Sequence, residues 1–261
     1  MILPEGLFPA GPYRLHLTLR RGEPRDFFGP QDSTGRIRAE RAKWLAAEPG
    51  RYAALRPEGE PLLAEVGELA AREWGLPAFA TVDELGRRCE PDMLLLSPDE
   101  TGLFRLRGGA LCFSTGWALE EKLGHTLDFI HGVVPGLNAA LASPIQQFLT
   151  RLKPGVAFHR DNWGIAATAE LNLHPARQLA APALPVALDR LWLRIEHQAL
   201  LALPRTRGVL FGIRIALHRL DVVARDPAAA AGLRQALATM SPEMARYKRL
   251  DGIRARLIES V

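Results

Sequence analysis

Cysteine is nearly missing from this chain. Its two thiols, Cys89 and Cys112, are too few and too far apart for a zinc knuckle or an iron–sulfur cluster. Cys112 sits in an apolar strand-like run and reads as a small buried hydrophobe. Cys89 follows Arg87-Arg88, a setting that allows exposure, and neither thiol requires an oxidising compartment. Lysine is almost as scarce. Of 33 basic residues only Lys43, Lys122, Lys153 and Lys248 are lysine, leaving 29 arginines. The arginines are scattered among acids, with no run longer than two or three. The formal charge of +4 therefore describes no phosphate-tracking stripe, and nucleic acid is not an expected partner. Long apolar runs are missing too: the uncharged stretch from Gly132 to Thr150 contains Pro135, Asn138, Pro144, Gln146 and Gln147, so no membrane span is expected. The opening Met1-Ile2-Leu3-Pro4-Glu5 lacks the basic region and apolar core of a secretory signal, and a cytoplasmic location is the expectation. No GxGxxG nucleotide-binding motif occurs.

What is present reads as one α+β domain with an antiparallel sheet and surrounding helices. With 48% hydrophobic and 24% charged residues in 261, the chain can bury a sizeable core. Residues 1–36, rich in Pro, Gly and aromatics, read as an N-terminal extended arm; 37–261 form the body, with a helical tail from about 226. Helical spacing covers 37–48 and 61–74, the latter with proline at its start. Short strands are expected at 93–96, 104–106 and 110–113, with Gly108-Gly109 as a turn. A helix follows over 117–131, then an Ala/Leu helix over 136–152. A strand at 156–165 precedes the clearest hairpin, 190–203 with 208–223, joined by Pro204-Arg205-Thr206-Arg207.

Three constellations could carry chemistry. His131 ends its helical pattern before a Gly132 and Val133-Val134-Pro135 stop. It either bonds the last carbonyls, favoured there by the helix dipole, or reaches sideways to a bound group. In Phe158-His159-Arg160-Asp161-Asn162-Trp163, strand alternation puts Arg160 and Asn162 on one face and Asp161 and Trp163 on the other. The Arg160 fork matches a carboxylate. The plainer reading is a sheet-edge salt bridge with Trp163 in the core. His159, beside Asp161, is a rival metal ligand, and His125 lies off the His131 face. The hairpin is the third. A turn centred near Thr206 sets Gln198 against Arg214 and Arg194 against His218, so Arg194, Glu196, Gln198 and Arg214 share a polar face. Such a face is either solvated or lines a polar pocket.

These strings together resemble the haem-dependent oxidative N-demethylase α-subunit family. Gly116-Trp117-Ala118-Leu119-Glu120-Glu121-Lys122-Leu123-Gly124, continuing to Ile130-His131, is similar to one family segment. Arg160-Asp161-Asn162-Trp163 is similar to its Arg-x-Asn-Trp. Arg194-Ile195-Glu196-His197-Gln198, Leu203-Pro204-Arg205-Thr206 and Phe211-Gly212-Ile213-Arg214 match a third. The resemblance runs from near Arg38 to Arg246-Tyr247-Lys248. It implies a PAS-like core and b-type haem held by His131, with Arg160, Asn162, Lys122 and Trp117 contacting cofactor or substrate. It also implies oxidation of a small methylated amine with dioxygen, assisted by Arg214 or Arg194 beside Glu196 and Gln198. Electrons would come from a separate flavin and iron–sulfur reductase, and an oligomeric assembly stays open. The chain departs from the family pattern at His197, Ala199, Ile215 and Ala216, which puts the substrate in question. A PAS-type haem or small-ligand sensor is the alternative. A third reading is a non-haem protein binding amines or carboxylates.

Overall fold

The computed structural model describes residues 3–261, and its centre is one seven-stranded antiparallel sheet. Its strands are β1 (Arg20–Gly22), β2 (Ala53–Leu55), β3 (Asp92–Pro98), β4 (Phe104–Ala110), β5 (Ala157–Ala166), β6 (Trp192–Ala202) and β7 (Val209–Arg219). They run in the order β1-β5-β6-β7-β3-β4-β2. The fold is therefore α+β, as composition and patterning indicate.

One face is closely packed along its whole length. At the β3 end Met93, Leu95 and Leu210 meet Phe28, Leu62, Val66, Trp74 and Leu85 from the N-terminal helices. At the β5 end Trp163, Ile165, Leu193 and Ile195 meet Leu233, Leu237 and Leu257 of the C-terminal helices. Cys89, whose setting allowed exposure, is buried there as well. The opposite face is covered more loosely, by helices Leu119–Lys122, Leu127–His131 and Leu137–Arg151. The second buries none of its residues and the third only Leu149.

Several expectations hold to within a residue or two, among them helices at Arg36–Ala47 and Leu137–Arg151, strand β5 and three tail helices from Pro227. Three do not. Gly108 and Gly109 make no turn: β4 runs through them, replacing two expected strands. A Cβ on Gly109 would overlap the Met93 carbonyl of the neighbouring strand, so glycine there is needed for strand approach. The helix over 117–131 is broken at Gly124, whose φ of +85° suits glycine alone. Gly124 N and His125 O bond instead to Leu106. Thr126 then caps a new short helix by accepting from Phe129 N. Finally, the hairpin register is shifted by one: Gln198 opposes Ile213, His197 opposes Arg214, and Leu193 opposes His218. Arg214 consequently lies on the other face from Arg194, Glu196 and Gln198.

Candidate functional site

The loosely covered face is where the sequence-derived residues converge. β5 contributes Arg160 and Asn162, and β6 contributes Glu196 and Gln198 directly opposite them. β7 adds Ile213, Ile215 and Leu217 beside the β6 side chains. Half of this face is thus polar and half apolar. Above it lie Leu127, Ile130, Ile145 and Phe148, all only half buried and grouped with Phe211 and Ile215. Protein interiors are normally packed densely. A cover whose apolar side chains stay half exposed suits a flat, largely apolar ligand between helices and sheet.

His131 ends the Leu127–His131 helix at this cleft. Burial and the nearby Arg160 charge hold its imidazole below the usual histidine range, so it stays neutral near pH 7. Neither ring nitrogen has a hydrogen-bond partner among the described residues. Asn138 secures the helix by donating to Asp128 O at 2.7 Å. Arg160 is half buried, and its guanidinium likewise has no acceptor among the described residues. Burial lowers its pKa, while Glu196, Asp161 and Tyr13 act on it only at a distance. A guanidinium in such a place has the geometry to take an acidic ligand.

Glu196 is 8% exposed. One carboxylate oxygen accepts from Gln198 Nε2 at 2.8 Å and from Asn162 Nδ2 at 3.2 Å. The other accepts nothing among the described residues, and no cation pairs with the group. Lys248 approaches round the open edge of β5. Its ammonium donates to Trp163 O at 2.6 Å and lies 4.8 Å from the Trp163 ring centre. Burial lowers its pKa to about 8. In the sequence Lys248 stands out only as the end of the family resemblance. A lone lysine near the C-terminus offers no periodic signal that would place it here.

The remaining expected residues take other places. Arg194 is fully engaged: it donates to Thr115 Oγ1 at 2.9 Å and to the Phe113 and Leu171 carbonyls at 2.7 Å, tying two loops to β6. Arg214, on the closely packed face, donates to Phe27 O, Glu90 Oε2 and Gly29 O at 2.7–2.8 Å. Lys122 Nζ lies 5.5 Å from the ring centre of Phe129, which His125 also stacks upon at 3.9 Å. Trp117 is half buried and packs with the cluster under the helical cover. Trp163 is in the core, and Asp161 pairs with Arg20 and, at 2.7 Å, with His197 Nδ1. His159, the rival ligand, is on that same far side against Phe27, beside a cavity of about 370 Å³ that Arg20, His197 and Arg214 also line.

Among the described residues no group of three or more His, Cys, Asp or Glu is placed to hold a metal ion. A single histidine beside an apolar cleft is instead the donor set of a macrocycle-bound iron, whose other equatorial ligands the porphyrin brings. Among the described residues no helix is long and apolar enough to cross a membrane. The family model described as haem-dependent oxidative N-demethylase, alpha subunit-like matches residues 39–258, which contain the sheet from β2 to β7, the helical cover and the convergence of His131, Arg160, Asn162 and Glu196. The chain belongs to that family.

Proposed function

We propose that this protein is the haem-bearing subunit of an oxygenase that removes a methyl group from a small amine. The observation that carries this reading is the placing of His131 and Arg160, neither with a hydrogen-bond partner among the described residues, with the Glu196 carboxylate on one half-apolar side of the sheet. The haem, of the b type in this reading, would supply dioxygen binding and redox chemistry that no side chain here provides. His131 would hold the haem iron, its lone pair kept available by burial. Arg160 would take a haem propionate through its planar fork.

Glu196 receives the substrate amine. An ammonium ion gains from a buried carboxylate whose remaining oxygen has no partner, and Asn162 and Gln198 fix the direction in which that oxygen presents itself. Apolar Ile215 and Leu217 next to it favour a methylated amine over a bare one. The oxygen-assisting role expected of Arg194 or Arg214 does not suit either side chain, because Arg194 is turned to loop carbonyls and Arg214 is on the opposite face; Arg160 is the cation on this face of β5. Electrons come from a separate reductase, because the two buried thiols cannot hold an iron–sulfur cluster.

The test is oxygen uptake by haem-loaded protein with a flavin and iron–sulfur reductase, driven by di- and trimethylated amines. Amine-dependent uptake with release of formaldehyde is the expected result. A haem spectrum with no uptake for any methylated amine would instead mark the cleft as a sensor.

A further inference from the structure

The N-terminal arm lies outside the matched residues 39–258, yet it passes from the Trp163 cluster to the cluster under the helical cover. Its two ends are anchored. β1 pairs with β5 through Arg20 opposite His159, and the Arg20 guanidinium pairs with Asp161. At the other end Leu7 is buried and Phe8 meets the Trp163 ring edge-on at 5.3 Å. Between these anchors Tyr13 N donates to Thr239 Oγ1 at 2.8 Å, and the Tyr13 ring meets Trp163 at 6.4 Å. Leu15 packs with the Trp163 cluster, while Leu19 packs with the cluster beneath the helical cover. The stretch from Tyr13 to Leu19 therefore crosses the edge of β5 between Trp163 and Arg160. His16 is in the middle of that crossing, and its Nδ1 is buried with no hydrogen-bond partner among the described residues.

We propose that the arm is part of the binding site: His16 and Tyr13 join Arg160 in a clamp for one carboxylate of the bound ligand, which on the preceding reading is a haem propionate. The chemistry is complementary. Arg160 brings a permanent cation, uncompensated within ion-pair distance among the described residues, and a carboxylate cancels it. His16 is held neutral by burial first and the Arg160 charge second, so it can donate without adding a second cation. Burial chiefly, with Tyr247 adding to it, raises the Tyr13 pKa to about 12, which keeps its phenol a donor at every working pH. Glu196 acts on Arg160 only from beyond ion-pair distance, and its hydrogen bonds are to Asn162 and Gln198. The clamp also explains why the arm is fixed at both ends by ring contacts and an ion pair rather than left to fray.

The clamp is tested by titrating the haem-free full chain with haem and with haem dimethyl ester, whose carboxylates are masked, following the Soret band. Wild type should bind the free acid at least about tenfold more tightly, as a desolvated charge-assisted pair allows. His16→Ala and Tyr13→Phe should each cut that preference several-fold, His16→Gln should restore much of it, and Arg160→Ala should abolish it. Unchanged preference in His16→Ala and Tyr13→Phe, with melting curves like wild type, overturns the clamp while leaving the haem reading intact. Equal binding of acid and ester by wild type also overturns the clamp. Binding of neither porphyrin by wild type overturns the haem reading and the clamp with it.

Discussion

Glu196 and Asp92 show how the same side-chain type does opposite work in one sheet. Asp92 is buried on β3 with its partner Arg41, and both are fully inaccessible. Its oxygens also accept from Cys112 N at 2.6 Å and Phe113 N at 3.0 Å, so both oxygens are engaged. Among the described residues Glu196 keeps one oxygen unused and pairs with no cation. The first is a structural ion pair; the second, on the proposed function, receives the substrate amine. Asp92→Asn should lower unfolding free energy by about 3–5 kcal/mol, because it leaves a guanidinium uncompensated in the core; chemical denaturation reads this directly. Glu196→Gln keeps size and most hydrogen bonding but loses the charge. It should leave haem affinity and melting temperature near wild type while reducing amine-dependent oxygen uptake about tenfold or more, at least about 1.4 kcal/mol of lost transition-state stabilisation. Full uptake in Glu196→Gln would remove the carboxylate from amine recognition.

At the scale of elements, the β6–β7 hairpin decides which residues can act together. Ala202 opposes Val209, so the turn is centred between Arg205 and Thr206 and not on Thr206. That one-residue difference carries Arg214 through the sheet. The sequence could not settle it, because both faces of β7 are buried or half buried and its apolar residues could have been paired with either set on β6. The outcome joins polar β6 side chains to apolar β7 side chains on one face. The broken helix before His131 was equally hidden: 117–131 has helical spacing throughout, and only bonds from Gly124 and His125 to the distant Leu106 interrupt it. Its terminal histidine, the alternation of β5 and the pairing of Glu196 with Gln198 were legible, since they depend on local periodicity alone. Arg160's lack of a partner and the approach of Tyr13, His16 and Lys248 were not, because they depend on distant segments meeting. Arg214→Ala gives a test of the register. It leaves the buried Glu90 without its cation and frees the Phe27–Gly29 segment. A stability loss on the order of 3 kcal/mol is expected, with amine turnover per folded molecule unchanged. Selective loss of turnover at wild-type stability would place Arg214 in the cleft after all.

For the whole molecule, the arm and the body are joined through Asp161. Burial alone would raise the pKa of its carboxyl, but hydrogen bonds from His197 and Arg20 outweigh that and hold it below the usual range. A depressed carboxylate gives stability that is complete above its unfolded pKa of about 3.9 and is lost as pH falls through the folded value. The arm should therefore loosen below about pH 4 and stay latched above it. Hydrogen exchange at Arg20–Gly22 should rise in acid before that of β6 and β7, and Asp161→Asn should show the same exchange at neutral pH. Equal protection of the arm in wild type and Asp161→Asn would rule out this latch.

The central claim is that His131 holds a haem in the cleft between the helical cover and the polar half of the sheet. The optical spectrum of reconstituted wild type and of His131→Ala, oxidised and reduced, tests it most directly. A histidine-ligated Soret band in wild type, lost or shifted to that of loosely held haem in His131→Ala but kept in His125→Ala and His159→Ala, is the predicted result. A wild-type spectrum in His131→Ala, with the band lost instead in His159→Ala, would contradict it and move the cofactor to the opposite face of the sheet.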